Sequence, residues 1–263
     1  MGFRPAFLIL LAVVLLVPTA DAFGGSGACL HCHTPHYVDK GVCIGCHRGD
    51  ERSDRLAIAH RDLILAKFSW FTIAGSQPVQ RGGKLLESFS CGRCHTTSGK
   101  GNRLASNLDR LSTDMIPQKI FDAIKSPALF MPDFYFSDQQ IIDLVNAILA
   151  GAAKAKHKGG EIPQIVHFED KKQNTDNIFE KMCGSCHKIL SKTNGSLGKG
   201  EIGPNLSGLF TAFYPSTFPG KRKWTEERLR KWLQNPRRLR PNTTMKPILL
   251  KVAETGAILS ILR

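Results

Sequence analysis

Cys183-Gly184-Ser185-Cys186-His187 is the stretch that decides how this chain is built, because its spacing recurs three more times. The other copies are Cys29-Leu30-His31-Cys32-His33, Cys43-Ile44-Gly45-Cys46-His47 and Cys91-Gly92-Arg93-Cys94-His95, and together the four account for all 8 cysteines. Two thiols three residues apart, followed at once by an imidazole, form the attachment signature of a c-type haem. The thiols bond the haem vinyl carbons as thioethers, and the histidine reaches the iron. The pattern therefore predicts four covalently bound c-type haems. Cys29, Cys32, Cys43, Cys46, Cys91, Cys94, Cys183 and Cys186 would hold them, with His33, His47, His95 and His187 as proximal iron ligands. Rival chemistries fit less well. The first four cysteines are spaced like a zinc ribbon, which needs no histidine after each pair. Thioredoxin-like redox chemistry wants a single motif in a βαβ setting. A disulfide framework does not demand four identical spacings.

Working outward, the N-terminus reads as an export leader. Arg4 precedes an apolar run over 6–17, and Ala20-Asp21-Ala22 supplies a small-residue cleavage site. The run is short for a membrane span. Residues 1–22 are expected to be a signal peptide cut after Ala22, with an uncleaved anchor as the competing reading. No cysteine follows the cut to carry a lipid, and no later segment is apolar enough to span a bilayer. Export agrees with the haem motifs, since bacterial c-type haem attachment occurs outside the cytoplasmic membrane. The expected location is periplasmic. The formal charge is +14. Eight haem propionates, less the charge of four oxidised iron centres, bring it to about +10. Such a charge favours acidic partners and steers their encounter. Export sets nucleic acid aside as a partner.

The rest of the chain divides by composition. Residues 23–75 hold two motifs with little protein between them, and 54–71 are apolar enough for a helix packing on the haem pair. Gly75-Ser76-Gln77-Pro78 marks a boundary. Residues 76–151 form a unit with one motif, a leading helix over 79–89 and a clearer last helix. That last helix opens with a capping box at Ser137 and Gln140. Ile141, Leu144, Val145, Ile148 and Leu149 follow at helical spacing, and Gly151 supplies a stop. Residues 152–167 are small, basic and rich in glycine, a linker in composition. Residues 168–263 repeat the plan, with helices over 177–182, 225–233 and 251–262. The second of these carries Leu229, Trp232 and Leu233 on one face and ends at Pro236. Ala105-Ser106-Asn107-Leu108 matches Gly203-Pro204-Asn205-Leu206, 120–127 matches 229–236, and each unit then reaches a methionine, Met131 or Met245. This is an internal repeat of a haem unit. Each unit can be small because haem supplies apolar surface that a short chain lacks.

These matched pieces resemble the class I cytochrome c fold, twice. The resemblance implies a helix before the haem motif and a Gly-Pro-x-Leu turn whose proline carbonyl meets the proximal histidine. It also implies a Met-Pro segment delivering the distal ligand and a C-terminal helix crossing the first. Gly203-Pro204-Asn205-Leu206, Met131-Pro132 and Met245 carry the likeness. The first unit departs from it, with Ser106 where the family has proline. The N-terminal part resembles the short multihaem segments of bacterial respiratory cytochromes. The whole is similar to the tetrahaem cytochromes of metal-, selenite- or tellurite-respiring bacteria. The fold class expected is mostly α: two small class I cytochrome c-like helical domains after a loop-rich, haem-organised dihaem segment.

Distal ligands follow from the resemblance and from what each segment contains. Met131 and Met245 are the expected ligands of the two C-terminal units. Met115 competes in the first, and Met182, beside Cys183, is poorly placed. The dihaem segment has no methionine, so His36 and His60 are its expected distal ligands, which of them serves which haem being left open. His31, inside a motif, points less easily back at an iron. His157 and His167, in the linker, are read as solvated. Thioether sulfur favours Fe(II), so electrons should rest on the two C-terminal haems.

The expected role is that of a non-enzymatic electron carrier. It would run between a membrane respiratory complex and a downstream reductase or outer relay, with peripheral association with that complex left open. Residues 221–240 hold nine Lys and Arg against Glu226 and Glu227, either a solvated helix face or a docking surface for an acidic redox partner. Two other roles are kept. One is a multihaem reductase or peroxidase with one open-site haem. The other is a haem subunit of a larger respiratory complex.

Overall fold

A computed structural model of the chain describes residues 27–111, 115–128, 130–155 and 177–263. The expected leader over 1–22, most of the linker, His157 and His167 lie outside them. The described chain is mostly helical, with two short antiparallel hairpins. No described helix is long and apolar enough to cross a membrane.

The N-terminal segment contains single turns rather than helices. Ala28–His31 and Val38–Lys40 are 3-10 turns, α1 spans Cys43–His47, α2 spans Leu56–Ala59, and Ala66–Thr72 is 3-10 again. From 27 to 63 no residue is buried, while Val38 and Leu56 are 64% and 71% exposed. A stretch with no protein core is what covalent haem would organise. The expected helix over 54–71 is broken into two pieces. Asp62 adopts φ 57°, a left-handed conformation that no right-handed helix contains. The apolar residues that suggested it serve another purpose: Ile64 and Phe68 are buried in the core of the next unit.

That unit begins with α3, Gln77–Ser88. It continues through the hairpin β1 (Thr96–Thr97) and β2 (Lys100–Gly101), a 3-10 turn at Leu108–Arg110, α4 (Pro117–Lys125) and α5 (Asp138–Lys154). The capping box at Ser137 and Gln140 forms as read. Helices α3 and α5 touch backbone to backbone. A Cβ on Gly82 would lie 1.9 Å from the Asp143 carbonyl oxygen and 2.7 Å from Ala147 Cβ, so only glycine fits the crossing. Arg81 clamps the same point with two hydrogen bonds of 2.6 and 2.8 Å to Asp143. Around it Ile141, Leu144, Val145 and Ile148 pack on Ile120, Phe121 and Phe136. Helix α5 does not stop at Gly151 but runs on to Lys154. Gly151 instead lets Ser98 come close, its absent Cβ being 3.0 Å from Ser98 Oγ.

The N-terminal segment is tied to this unit through Asn146, which is fully buried. Its side-chain oxygen accepts from the Phe71 N–H at 3.0 Å, and its amide donates to the Lys67 carbonyl at 2.9 Å.

The last unit holds α6 (Ile178–Met182), the hairpin β3 (Ile189–Ser191) and β4 (Gly195–Leu197), α7 (Glu226–Gln234), α8 (Pro236–Leu239) and α9 (Val252–Leu262). Helix α7 starts on Thr225, whose hydroxyl accepts from the Arg228 N–H. Proline at the first position of α8 ends α7 and opens a new turn, capped by Asn235. Phe179 of α6 and Ile258, Leu259 and Leu262 of α9 share a core with Leu229 and Leu233. Gly256 faces open space, so α9 tolerates it.

Candidate haem sites

Each motif folds into one helical turn. The histidine N–H donates to the carbonyl of the first cysteine at 3.0 Å for His33 and His95 and 2.9 Å for His187, and the second motif is α1 itself. A turn of this kind sets residues three and four apart side by side, so both thiols and the imidazole share a face. All eight cysteines are free. Among the described residues no three Cys, His, Asp or Glu side chains gather as a metal-ion site.

Three of the four motif histidines are held from behind. Nδ1–H of His187 donates to the Pro204 carbonyl at 2.8 Å, that of His95 to Ser106 at 2.8 Å and that of His47 to Ile64 at 3.0 Å. Such a bond fixes the tautomer and leaves Nε2 free to ligate. The departure at Ser106 therefore costs the first unit nothing, because the contact is made by a backbone carbonyl and any residue supplies one. A Cβ on Gly203 would lie 2.3 Å from the His187 ring, so the turn must begin with glycine. Burial lowers the pKa of His95, opposed by the bond to Ser106, which favours the neutral ring that binds iron. Burial pushes the Cys91 and Cys183 thiols up to about 11, surroundings suited to an uncharged thioether.

The N-terminal segment brings together its two motif histidines, His33 and His47, and both of their expected partners. The His60 ring centre lies 6.0 Å from that of His33, and the His36 ring centre 5.7 Å from that of His47. Two imidazoles bonding one metal at about 2 Å each have ring centres about 6 Å apart. The pairing is crossed, each motif being faced by the histidine that lies nearer the other in sequence. A cleft lined by Cys43, Cys46, His47 and His36 and bounded by Val42 and Trp70 holds a whole donor set. The residues present fit a haem here.

The methionines differ. Met245 packs at the edge of the last core, and the indole N–H of Trp232 donates to its sulfur at 3.0 Å. Met131 sits half-buried on the loop between α4 and α5, and is not among the side chains packed on that unit's core. Met115 is, as core filling. Met182 is 40% exposed on α6, and His31 is exposed in its motif. Sequence reading missed Ile64 as the anchor of His47 and took Trp232 for core alone; neither role leaves a mark in composition or spacing.

The model of a family described as cytochrome c oxidase, cbb3-type, subunit III matches residues 77–146, which include α3, the third motif and the first half of α5. Cytochrome c of Arabidopsis thaliana and cytochrome c of Cochliobolus lunatus are each 34% identical over 79 residues, 26% of this chain. The matches cover 65% and 68% of those two proteins.

The chain belongs to the cytochrome c family.

Membership implies a covalently bound c-type haem and its iron in this cytochrome. The third Cys-x-x-Cys-His turn, the anchored His95 imidazole and the glycine-dependent helix crossing are then parts of one device. The backbone holds the proximal ring, and the two helices brace the chain around it. No solved structure matches the cytochrome.

Proposed function

We propose that the cytochrome is an exported tetrahaem electron carrier working between a membrane respiratory complex and a downstream reductase or outer relay. The observation that carries this reading is the pair of facing imidazoles at 6.0 and 5.7 Å. They extend the haem-binding pattern beyond the matched residues 77–146 into a segment without a core of its own. In this reading His33 and His60 ligate the first iron, and His47 and His36 the second. His95 with Met131 and His187 with Met245 ligate the third and fourth. The crossed pair are the lower-potential sites, and the methionine pair hold the electron longer.

Part of the basic stretch 221–240 serves the fold. Lys223 Nζ donates to the Ala212 carbonyl at 2.7 Å, and Arg240 donates to the Thr217 carbonyl at 2.7 Å. Arg237 and Arg238 on α8 extend into solvent and are the residues to meet an acidic partner.

Mass measurement of the exported protein tests the reading. Four haems per chain and a start at Phe23 are expected; three or fewer with all motifs intact overturn it. His36→Ala and His60→Ala should each convert one low-spin iron to a cyanide-binding, high-spin one. An unmodified protein that already binds cyanide at one iron would instead favour a reductase.

A further inference from the structure

The third motif and the last unit meet in a contact that neither haem site requires by itself. Arg93, between Cys91 and Cys94, donates to the Asn205 carbonyl at 3.3 Å, and the buried Tyr214 hydroxyl donates to the same oxygen at 3.1 Å. The Arg93 guanidinium also lies 5.8 Å from the Tyr214 ring centre, within cation–π reach. Asn102 donates to the Arg93 carbonyl at 2.9 Å and to Thr211 Oγ1 at 3.0 Å. The two units also approach closely at two glycines. Gly208, at φ +69°, has no room for a Cβ, which would lie 2.7 Å from Asn102 Nδ2 and 2.8 Å from the Arg93 carbonyl. A Cβ on Gly92 would lie 3.2 Å from the Phe213 ring. Asn205 follows Pro204, whose carbonyl holds His187. The contact thus runs from the loop that carries Cys91 and Cys94 to the residue behind the proximal ring of the last unit.

We infer that this contact is a fixed electrical junction, holding the third and fourth haem sites together and passing electrons between them. The inference rests on the tetrahaem reading. With haem bound at both sites the transfer would balance within the protein, one iron being oxidised as the other is reduced. No proton or further reactant is consumed. Tunnelling falls steeply with distance, so two units held in contact would exchange electrons faster than the same units apart. Arg93 is a positioning residue here, since it holds two sites in register and touches neither reacting iron.

The test is made on the full haem-loaded protein carrying a protease site between residues 160 and 161. After cleavage the two pieces of the unaltered protein should co-elute on size exclusion. Arg93→Glu and Gly208→Leu should each raise the dissociation constant of the pieces at least about thirtyfold, the effect of losing an interface anchor. The milder Asn102→Ala should raise it about fivefold, which keeps the test sound should a larger change disturb folding. Exchange between the third and fourth haems after flash reduction should slow in step with dissociation. Separation of the unaltered pieces overturns the inference. So do dissociation constants unmoved in all three variants, or exchange that persists unchanged once the pieces are apart. Mass of each piece reports haem number independently, so a failed tetrahaem reading shows as missing haem and not as lost association.

Discussion

At the scale of the residue, the telling group is the Trp232 indole. Its N–H points at the sulfur expected to ligate the fourth iron, 3.0 Å away. The positive end of that dipole opposes the extra charge of Fe(III), so it should raise the potential, as outer partners of a ligand do. Trp232→Phe removes the donor and keeps the ring. A hydrogen bond contributes about 1 kcal/mol, so a spectroelectrochemical titration should show one haem shifted down by roughly 40 mV at about 59 mV per decade. An unchanged titration would leave the indole with a packing role alone. The c-type haem chemistry of the third motif, within the matched residues 77–146, was legible from the chain. Cysteine and histidine carry haem attachment in their own functional groups, and the four motifs place them by number. Trp232 was not legible, because an indole on an apolar helix face looks the same whether or not its N–H has found a sulfur.

At the scale of the element, the crossing of α3 and α5 is the tightest point of the matched domain. Gly82→Ala would drive a methyl group into the Asp143 carbonyl, forcing the helices apart at the point where Arg81 and Asp143 pair. Overpacking with backbone displacement costs about 3 kcal/mol. Denaturant unfolding of the variant should show that loss, while Gly83→Ala, which meets nothing within 4 Å, should be neutral or slightly stabilising. A Gly82→Ala protein of unaltered stability would mean the helices cross elsewhere. Helices α3, α7 and α9 were readable within a residue or two, and α5 apart from its last three residues, because helical periodicity is local information. The segment over 54–71 was misread for the opposite reason. Its apolar residues Ile64 and Phe68 answer to a core supplied mostly by α5, many residues later in the chain.

At the scale of the whole molecule, the formal charge of +14 makes encounter electrostatic. Stopped-flow oxidation of the reduced protein by ferricyanide, an anion, should slow as salt rises and the screening length shrinks from about 30 Å at 0.01 M to about 8 Å at 0.15 M. Oxidation by a cobalt ammine cation should speed up instead. Arg237→Glu with Arg238→Glu should weaken the salt dependence toward ferricyanide and leave haem number unchanged; an unaltered slope would move the docking face away from α8. The chain by itself determined the c-type haem chemistry and the mostly helical fold, since thiol spacing, a following imidazole and helical period are all written within a few residues. Only the tertiary structure decided which histidine faces which, that Ile64 and Ser106 lend their carbonyls, and that the third motif lies against the last unit. Those outcomes depend on contacts between residues far apart in the chain, and backbone carbonyls and glycine crossings leave no side-chain pattern from which such contacts can be read.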